Sequence, residues 1–264
     1  MKFTKMQGLG NDYLYVWGPP PADVSDLSVR LSDRHFGPGA DGMIFIAPSN
    51  RADFRMWIFN ADGSEAKMCG NGIRCVGKYV YDKGYTRKTR LTVETGAGLR
   101  TLKLHAENGR VTAAAVDMGV AAVAPEKTLD LPEGETVCIP VDVGNPHAVL
   151  FVPDAEAAPL TTLGPAIERH PAFPGGVNVE FVQVTGPHSL RMRVWERGSG
   201  VTMACGTGSC ASVAAAVSKG FCPAGEPVAV KLDGGTLTVT VGADGAVRMA
   251  GPAEFVYEGD TEIC

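Results

Sequence analysis

The sequence lacks the features that mark several large classes of protein. Basic charge is not in excess, since 24 Lys and Arg stand against 29 Asp and Glu and give a formal net charge of −5. No run of about eighteen apolar residues, the length of a transmembrane helix, is present. The first residues also lack the basic and apolar pattern of a secretory signal. The sequence therefore predicts neither a nucleic-acid partner nor a membrane span, and we expect a cytoplasmic protein.

Cysteine is present, but not in the patterns of disulfide frameworks or zinc sites. There are 7 cysteines, an odd number in a chain without an export signal, so we expect thiols. Neither a C-x-x-C spacing nor a nearby pair of histidines accompanies them, and the sequence predicts no metal site. A non-enzymatic zinc-binding module stays as an alternative, which predicts stoichiometric metal and sensitivity to chelators.

The main feature that is present is a cysteine at the predicted start of a helix. Cys69 opens the stretch Cys69-Gly70-Asn71-Gly72-Ile73-Arg74-Cys75, and an apolar run with helical spacing follows until Gly84. Backbone N–H groups and the positive end of the helix dipole at such a position favour a thiolate over a thiol. The glycines would let a ligand approach the backbone closely.

The same arrangement occurs a second time. Cys205 opens Cys205-Gly206-Thr207-Gly208-Ser209-Cys210, and Gly220 follows Cys205 at the interval that separates Gly84 from Cys69. Asn60 and Glu196 precede their cysteines by equal distances, and Gly10-Asn11-Asp12 matches Gly144-Asn145-Pro146 at a nearly equal offset. These matches predict a duplicated chain with two homologous halves.

The repeat, together with strands predicted on both sides of each helix, indicates an α+β fold. We expect two homologous domains related by a pseudo-twofold axis, residues 1–118 and 119–264, with the C-terminal end able to join the first. Each would be a curved, mostly antiparallel sheet or barrel around a central helix. The boundary is placed in the Ala- and Pro-rich segment 119–130. A short helix over residues 25–34, with Leu27, Val29 and Leu31 facing inward, and a turn over residues 8–12 are also predicted.

Two equivalent cysteines suit a reaction at the two faces of one carbon. Pseudo-twofold repeats put equivalent residues on opposite sides of the interface between the halves, so Cys69 and Cys205 are expected to face each other across a cleft. One thiolate would remove a proton and the opposite thiol would return one, which inverts the stereocentre. Backbone N–H groups around Gly70-Asn71 and Gly206-Thr207 would hold a substrate carboxylate. The sequence contains no motif for pyridoxal phosphate.

Motifs along nearly the whole chain resemble those of the diaminopimelate epimerase family. They are Gly8-Leu9-Gly10-Asn11-Asp12, Phe59-Asn60-Ala61-Asp62-Gly63-Ser64-Glu65, Met68-Cys69-Gly70-Asn71-Gly72-Ile73-Arg74-Cys75, Gly144-Asn145-Pro146-His147, Asn178-Val179-Glu180-Phe181 and the stretch from Glu196-Arg197-Gly198 to Cys210. The resemblance implies an isomerase that needs no cofactor and interconverts LL- and meso-2,6-diaminopimelate by a two-base mechanism, a step that feeds lysine and peptidoglycan synthesis. The only partner implied is a small-molecule amino-acid substrate, and we expect a homodimer.

The resemblance also implies roles for individual residues. Cys69 and Cys205 would be the acid/base pair, with His147 and Glu196 as polar support near the thiols. Arg197 would hold the distal carboxylate of the substrate bidentately. The residues implied to bind substrate are Asn11, Asn60, Gly70, Asn71, Asn145, Asn178, Glu196, Arg197, Gly206 and Thr207.

Two positions depart from the family pattern. Gly42 stands where some members have a substrate-contacting Gln, and Val201 stands where many have Glu. A racemase that acts on another amino acid, such as histidine, on the same scaffold therefore stays as an alternative, because its cysteines would match equally well. Arg197 and the asparagines favour a substrate with a second carboxylate. Asn145, which precedes Pro146, could also be only a turn residue.

Overall fold

The chain divides into two compact units, as described by a computed structural model that covers residues 1–132 and 134–262. Unit 1 comprises Met1–Asp117 and the C-terminal segment that begins at Gly251, and unit 2 comprises Met118–Ala250. No helix in the described residues is both long and apolar enough to cross a membrane.

Strands dominate both units, and the described residues of each unit include two helices. The elements up to residue 120 are β1 (Lys2–Gly8), β2 (Asn11–Trp17), α1 (Val24–Ser32), β3 (Gly42–Pro48), β4 (Phe54–Asn60), β5 (Glu65–Ala66), α2 (Gly70–Asp82), β6 (Arg90–Thr95), β7 (Gly98–Glu107) and β8 (Arg110–Val120). The next are β9 (Ala122–Val123), β10 (Lys127–Leu131), β11 (Gly134–Asp142), β12 (Pro146–Phe151), α3 (Leu160–Glu168), β13 (Asn178–Gly186), β14 (Ser189–Glu196) and β15 (Gly200–Val201). The last are α4 (Gly206–Ser218), β16 (Pro227–Leu232), β17 (Gly235–Val241), β18 (Ala246–Pro252) and β19 (Glu254–Asp260).

The strand pairings of the two units repeat in the same order, which confirms the predicted duplication. In unit 1, β2 and β3 pair in parallel, as do β4 and β6, and the remaining neighbours from β1 to β8 are antiparallel. In unit 2, β12 with β13 and β14 with β16 are the parallel pairs in an otherwise antiparallel series. A parallel pair requires a crossover connection, and α1, α2, α3 and α4 supply the four crossovers.

Each unit encloses one helix almost completely. In α2 every residue from Gly70 to Val80 is buried, and in α4 nearly all residues from Gly206 to Ala216 are buried. Helix α2 contacts β1, β2 and β7, and α4 contacts β9, β11, β12, β13, β14, β16 and β17. Both helices are thus covered on nearly all sides, and the strands of their own unit provide that cover. The α+β class with a central helix in each half is therefore confirmed.

The predicted inner face of the short helix α1 is wrong at one position. Leu27 and Leu31 are buried, but Val29 is 46 % exposed. Two residues on a helix two positions apart point about 200° apart around the axis, so Val29 cannot share a face with both leucines. Ser28 is buried instead, and its Oγ donates to the carbonyl of Asn60 at 2.9 Å.

One other local prediction needs correction. The predicted turn over residues 8–12 is only two residues long, because Leu9 and Gly10 both adopt positive φ, 59° and 85°, and β2 already begins at Asn11. Positive φ at both central residues is typical of the tightest hairpin turns. The segment 119–130, which holds the predicted domain boundary, contains β9 and most of β10.

Candidate active site

Both candidate cysteines occupy the N-cap position of a buried helix. Cys69 has extended backbone angles, φ −137° and ψ 120°, and its Sγ accepts the backbone N–H of Gly72 at 3.3 Å. Cys205 has φ −119° and ψ 112°, and its Sγ accepts the N–H of Gly208, also at 3.3 Å. A sulfur thus does what a Ser, Thr or Asp oxygen usually does at this position. The predicted helix starts are confirmed.

The glycine three residues after each cysteine lets a side chain of a neighbouring strand approach the helix closely. A Cβ on Gly72 would lie 2.7 Å from Ile44 Cδ1 and 3.5 Å from Cys69 Sγ. A Cβ on Gly208 would lie 2.7 Å from Glu180 Oε1 and 3.2 Å from Cys205 Sγ. The two helix starts therefore have the same shape, but an aliphatic side chain lies under one and a carboxylate under the other.

The thiol of Cys69 interacts with side chains of β2. Its Sγ donates to Asn11 Oδ1 at 3.4 Å, and Asn11 Nδ2 donates to Asp41 Oδ2 at 2.8 Å. Because a carboxylate accepts only, Asp41 fixes the direction of the Asn11 amide. Tyr13 interacts with both Asn11 and Cys69, and burial, together with charge on Cys69 and Asp41, raises its pKa well above the ordinary value. Tyr13 therefore remains a hydroxyl donor.

A charged cluster supports Asp41. Arg34 donates to Asp41 at 2.9 Å and to Asp12 at 2.7 Å, and Lys5 lies 2.8 Å from Asp12. Burial acts to raise the pKa of Asp12, but the hydrogen bonds from Arg34 and Lys5 and their positive charges prevail and lower it. The hydrogen bond from Arg34 to Asp41 fixes the position of this carboxylate, and Asp41 in turn holds the Asn11 amide.

Arg74 holds the first turn of α2 from within the unit. Its side chain is fully buried, and its Nη1 donates to the Gly70 carbonyl at 3.1 Å and to Asn71 Oδ1 at 3.0 Å. Its Nε donates to the Pro252 carbonyl at 3.1 Å. The side-chain oxygen of Asn71 therefore points into the unit, and the predicted substrate contact of this residue falls to its amide nitrogen or backbone N–H.

Polar residues from β12, β13, the segment before β12 and the start of α4 form a hydrogen-bonded chain that ends at Cys205. Glu180 Oε1 lies 2.7 Å from His147 Nδ1, and His147 Nε2 lies 3.1 Å from Asn145 Oδ1. Asn145 Nδ2 donates to Thr207 Oγ1 at 3.4 Å, and Thr207 Oγ1 is 3.6 Å from Cys205 Sγ. The chain thus brings together four residues predicted for the site, Asn145, His147, Thr207 and Cys205.

Cys205 is held as a thiol. Burial raises its pKa well above the ordinary value, and the negative charges of Glu196 and Glu180 raise it further, against the hydrogen bonds from Thr207 and Gly208. The hydrogen bond from the Gly208 N–H lowers the pKa, as expected at a helix start, but burial and the two carboxylates outweigh this effect at Cys205. Burial also raises the pKa of Glu196, whose Oε1 accepts from Thr202 Oγ1.

The remaining predicted residues tie backbone segments together. Asn178 is buried; its Oδ1 accepts the N–H of Arg197 at 2.9 Å and its Nδ2 donates to the Pro146 carbonyl at 3.2 Å. The Arg197 guanidinium donates to the Gly175 carbonyl at 2.8 Å. Asn60 Nδ2 donates to Ser64 Oγ at 3.0 Å, at the end of β4. Asn178 thus has both ends of its amide engaged with main chain.

The structure shows the surroundings of the two positions that depart from the family pattern, Gly42 and Val201. Gly42 has φ +154°, and a Cβ there would lie 2.1 Å from the Phe59 carbonyl, so the chain requires glycine at this point as it stands. Val201 lies in β15 opposite Trp195 and is 43 % exposed. The neighbouring Thr202 supplies the hydroxyl that binds Glu196.

Sequence reasoning gave no role to Tyr13 and Glu180. Tyr13 precedes His147 by the same offset that relates Asn11 to Asn145, so the repeat itself could have pointed to it. Glu180 is a carboxylate between Val179 and Phe181, and a charge in an apolar strand indicates a buried partner. Among residues 1–132 and 134–262, no group of three or more His, Cys, Asp or Glu is arranged to hold a metal ion.

Comparisons with known proteins match the whole length of the chain. The family model described as diaminopimelate epimerase matches residues 3–124 and 139–256. The diaminopimelate epimerase of Methanococcus maripaludis is 46% identical over 281 residues, which cover 100% of both chains. The diaminopimelate epimerase of Bacteroides thetaiotaomicron is 48% identical over 268 residues, 99% of this chain and 98% of the relative.

Solved structures share the fold at low sequence identity. A hydroxyproline epimerase of Agrobacterium vitis superposes with a TM-score of 0.73 at 20% identity, over 99% of this chain and 90% of the other. A phenazine biosynthesis protein of Bacillus anthracis superposes with a TM-score of 0.75 at 16% identity, over 99% and 98% of the two chains. At such identities the likeness concerns the fold alone.

Proposed function

This chain belongs to the diaminopimelate epimerase family, and we propose that it interconverts LL- and meso-2,6-diaminopimelate without a cofactor. The observation on which the proposal depends is the pair of matched helix starts, each with a cysteine as N-cap. The names of the relatives favour diaminopimelate over another amino acid as the substrate.

The proposed mechanism uses one sulfur as base and the other as acid. A thiolate removes the proton from the substrate Cα, and the other thiol donates a proton to the opposite face. The mechanism requires Cys69 and Cys205 to reach the two faces of the same carbon. Because one sulfur must be protonated when the other is not, the conditions that keep Cys205 a thiol support its assignment as the acid in the ligand-free protein.

Charge that develops on the substrate needs stabilisation, because a Cα proton is far less acidic than a thiol. The N–H groups in the first turn of a helix have no intrahelical acceptor and lie at the positive end of its dipole. We assign the backbone at Gly70-Asn71 and Gly206-Thr207 to the reacting carboxylate, as in other anion sites at helix starts.

The rest of the substrate would be bound by side chains that accept or donate hydrogen bonds. Arg197 is assigned to the distal carboxylate, with its exposed guanidinium anchored on the Gly175 carbonyl. The other proposed contacts are Asn11, Asn60, Asn145, Asn178 and Glu196. Asn178 would act mainly by holding Arg197 and the start of β12.

Solvent deuterium incorporation at Cα tests the proposal directly. The protein is incubated in D2O, with reductant and without added cofactor, with LL-diaminopimelate, L-histidine or other L-amino acids, and exchange is followed by NMR. Exchange confined to diaminopimelate is expected, and Cys205→Ala serves as the matched control. Exchange with a different amino acid would contradict the substrate but keep the mechanism. Absence of exchange across the whole panel would contradict the proposed function.

Three further properties belong to the same proposal. We expect a homodimer, measured by light scattering on a sizing column. We expect full activity after dialysis against a chelator and in the absence of pyridoxal phosphate, since both proton transfers are assigned to thiols. The cytoplasmic location predicted from the sequence stays a prediction, which fractionation of cells would check.

A further inference from the structure

Glu180 is a buried carboxylate to which the proposed mechanism gives no role. It lies on β13 between Val179 and Phe181, and its side chain is completely buried. Oε1 is 2.7 Å from His147 Nδ1, while Oε2 is, among the described residues, a buried oxygen without a hydrogen-bond partner. A carboxylate in such a place is costly, and Ile44, at the equivalent place in unit 1, shows that the fold does not need it.

The carboxylate lies beside the sulfur of Cys205. A Cβ on Gly208 would be 2.7 Å from Glu180 Oε1 and 3.2 Å from Cys205 Sγ, so both atoms flank the same side of this glycine. A negative charge close to the sulfur, in a buried setting, opposes the formation of a thiolate. The other titratable groups that face Cys205 are Glu196, from β14, and His147, from β12.

Glu180 is also joined to Cys205 through a hydrogen-bonded chain. A carboxylate accepts only, so His147 directs Nδ1–H toward Glu180. Asn145 Nδ2 donates to Thr207 Oγ1 at 3.4 Å, so the Thr207 hydroxyl proton is left to point toward Cys205 Sγ, 3.6 Å away. This hydrogen bond lowers the pKa of Cys205 and therefore acts against the negative charge of Glu180.

We propose that Glu180 is a positioning residue that keeps Cys205 protonated in the ligand-free protein by its charge beside Gly208. The consequence for catalysis rests on the proposed function: Cys205 would meet the substrate as the acid. In unit 1, Ile44 and Tyr13 stand at the places of Glu180 and His147, so the carboxylate is replaced by an aliphatic side chain.

The test is a titration of the two thiols in the same sample. The protein without substrate is treated briefly with iodoacetamide at a series of pH values, and alkylation of Cys69 and Cys205 is quantified by mass spectrometry of their peptides. Glu180→Gln keeps the shape and an acceptor oxygen but removes the charge. We expect the midpoint for Cys205 to fall by about 1 pH unit or more, while that for Cys69 is unchanged. Cys69 is thus the internal control for a general loosening of the structure.

Two results would overturn the proposal: an unchanged midpoint for Cys205, or equal shifts of both cysteines. A measurement on the unaltered protein covers the case in which Glu180→Gln does not fold. Nitrogen-15 NMR at alkaline pH should show His147 with its proton on Nδ1, and a proton on Nε2 alone would contradict the proposal. Neither experiment uses substrate, so their outcome is independent of the deuterium test of the proposed function.

Discussion

The start of α2 and the start of α4 have the same backbone and different chemistry. Each begins at a cysteine whose sulfur accepts an N–H at 3.3 Å, and each has a glycine pressed against the strand below. Next to the first lie the aliphatic side chain of Ile44 and the hydroxyl of Tyr13, and next to the second lie the carboxylate of Glu180 and the imidazole of His147. A duplicated scaffold has kept its geometry and changed its acid–base properties, which is what a reaction with one acid and one base requires.

The asparagines show the same contrast. Asn11 is held in one direction by the carboxylate of Asp41, whereas Asn145 lies between His147 and Thr207, both of which can donate or accept. The hydrogen bonds near Cys69 are therefore fixed, and those near Cys205 can change direction with protonation.

The largest expected effect comes from removing either sulfur. Cys69→Ala and Cys205→Ala should each lower the epimerisation rate by about 10³-fold or more, because each removes one of two obligatory proton-transfer groups. Each should also cost about 1 kcal/mol of unfolding free energy through the lost N-cap hydrogen bond. Cys222→Ala, which changes a buried cysteine outside both helices, is the control. Substantial turnover in either of the first two variants would refute the two-base assignment.

A feature of this site can be predicted from the sequence when the residues that form it lie close together along the chain. The helix starts at Cys69 and Cys205 follow from cysteine, glycine and helical spacing within a few residues, and they were predicted correctly. Cys75 and Cys210, which lie inside α2 and α4, are fully buried.

Features that depend on strand register were missed. His147 pairs with Asn178 in the parallel β12/β13 pair, and alternation along β13 places Glu180 on the same face as Asn178. A single sequence does not contain this register, so the chain from Glu180 to Cys205 could not be derived from it. The charge of Arg74 was visible in the sequence, but its contact with Pro252 joins residues that are far apart along the chain.

The glycines in the first turns of the two helices, Gly72 and Gly208, offer a second comparison between the units. Gly208→Ala would force a Cβ against Glu180, whose carboxylate is held by His147, and against Cys205 Sγ, and we expect a loss of about 1–3 kcal/mol in unfolding free energy. Gly72→Ala meets the methyl end of Ile44, which can rotate away, and should cost less. Chemical denaturation of the two variants measures the difference. Equal losses would show that the carboxylate is no more rigid than the aliphatic side chain.

The raised pKa of Cys205 should be visible in stability at alkaline pH. In the unfolded chain this thiol ionises near its ordinary pKa, whereas in the folded protein burial and the charges of Glu196 and Glu180 keep it protonated to higher pH. The stability linked to Cys205 is therefore complete below pH ~8.5 and is lost as the pH rises toward the folded pKa, by about 1.4 kcal/mol for each pH unit that separates the folded pKa from the unfolded one. Cys205→Ser, which does not titrate there, should have a shallower alkaline slope.

Other cysteines contribute to the same slope and must be separated from Cys205. Burial raises the pKa of Cys75 to about 11 and that of Cys138 to about 11. Cys138→Ser thus reports the contribution of a buried thiol without a carboxylate beside it, and denaturation at several pH values compares the variants. A slope in Cys205→Ser as steep as in the unaltered protein would contradict the raised pKa.

The smallest expected effect is at Thr207, whose counterpart in unit 1 is Asn71. Thr207 Oγ1 connects Cys205 Sγ with Asn145. Asn71 has no hydroxyl group, and its side-chain oxygen accepts a hydrogen bond from Arg74. Thr207→Val keeps the shape and removes one hydrogen-bonding group worth about 1 kcal/mol, so we expect roughly a fivefold fall in kcat/KM. Thr207→Ser, which keeps the hydroxyl, is the matched control and should stay close to the unaltered rate. If the serine variant were as slow as the valine variant, the methyl group would be responsible. If neither variant were slow, the Thr207 hydroxyl would not contribute to catalysis, and the difference between the two helix starts would be purely electrostatic.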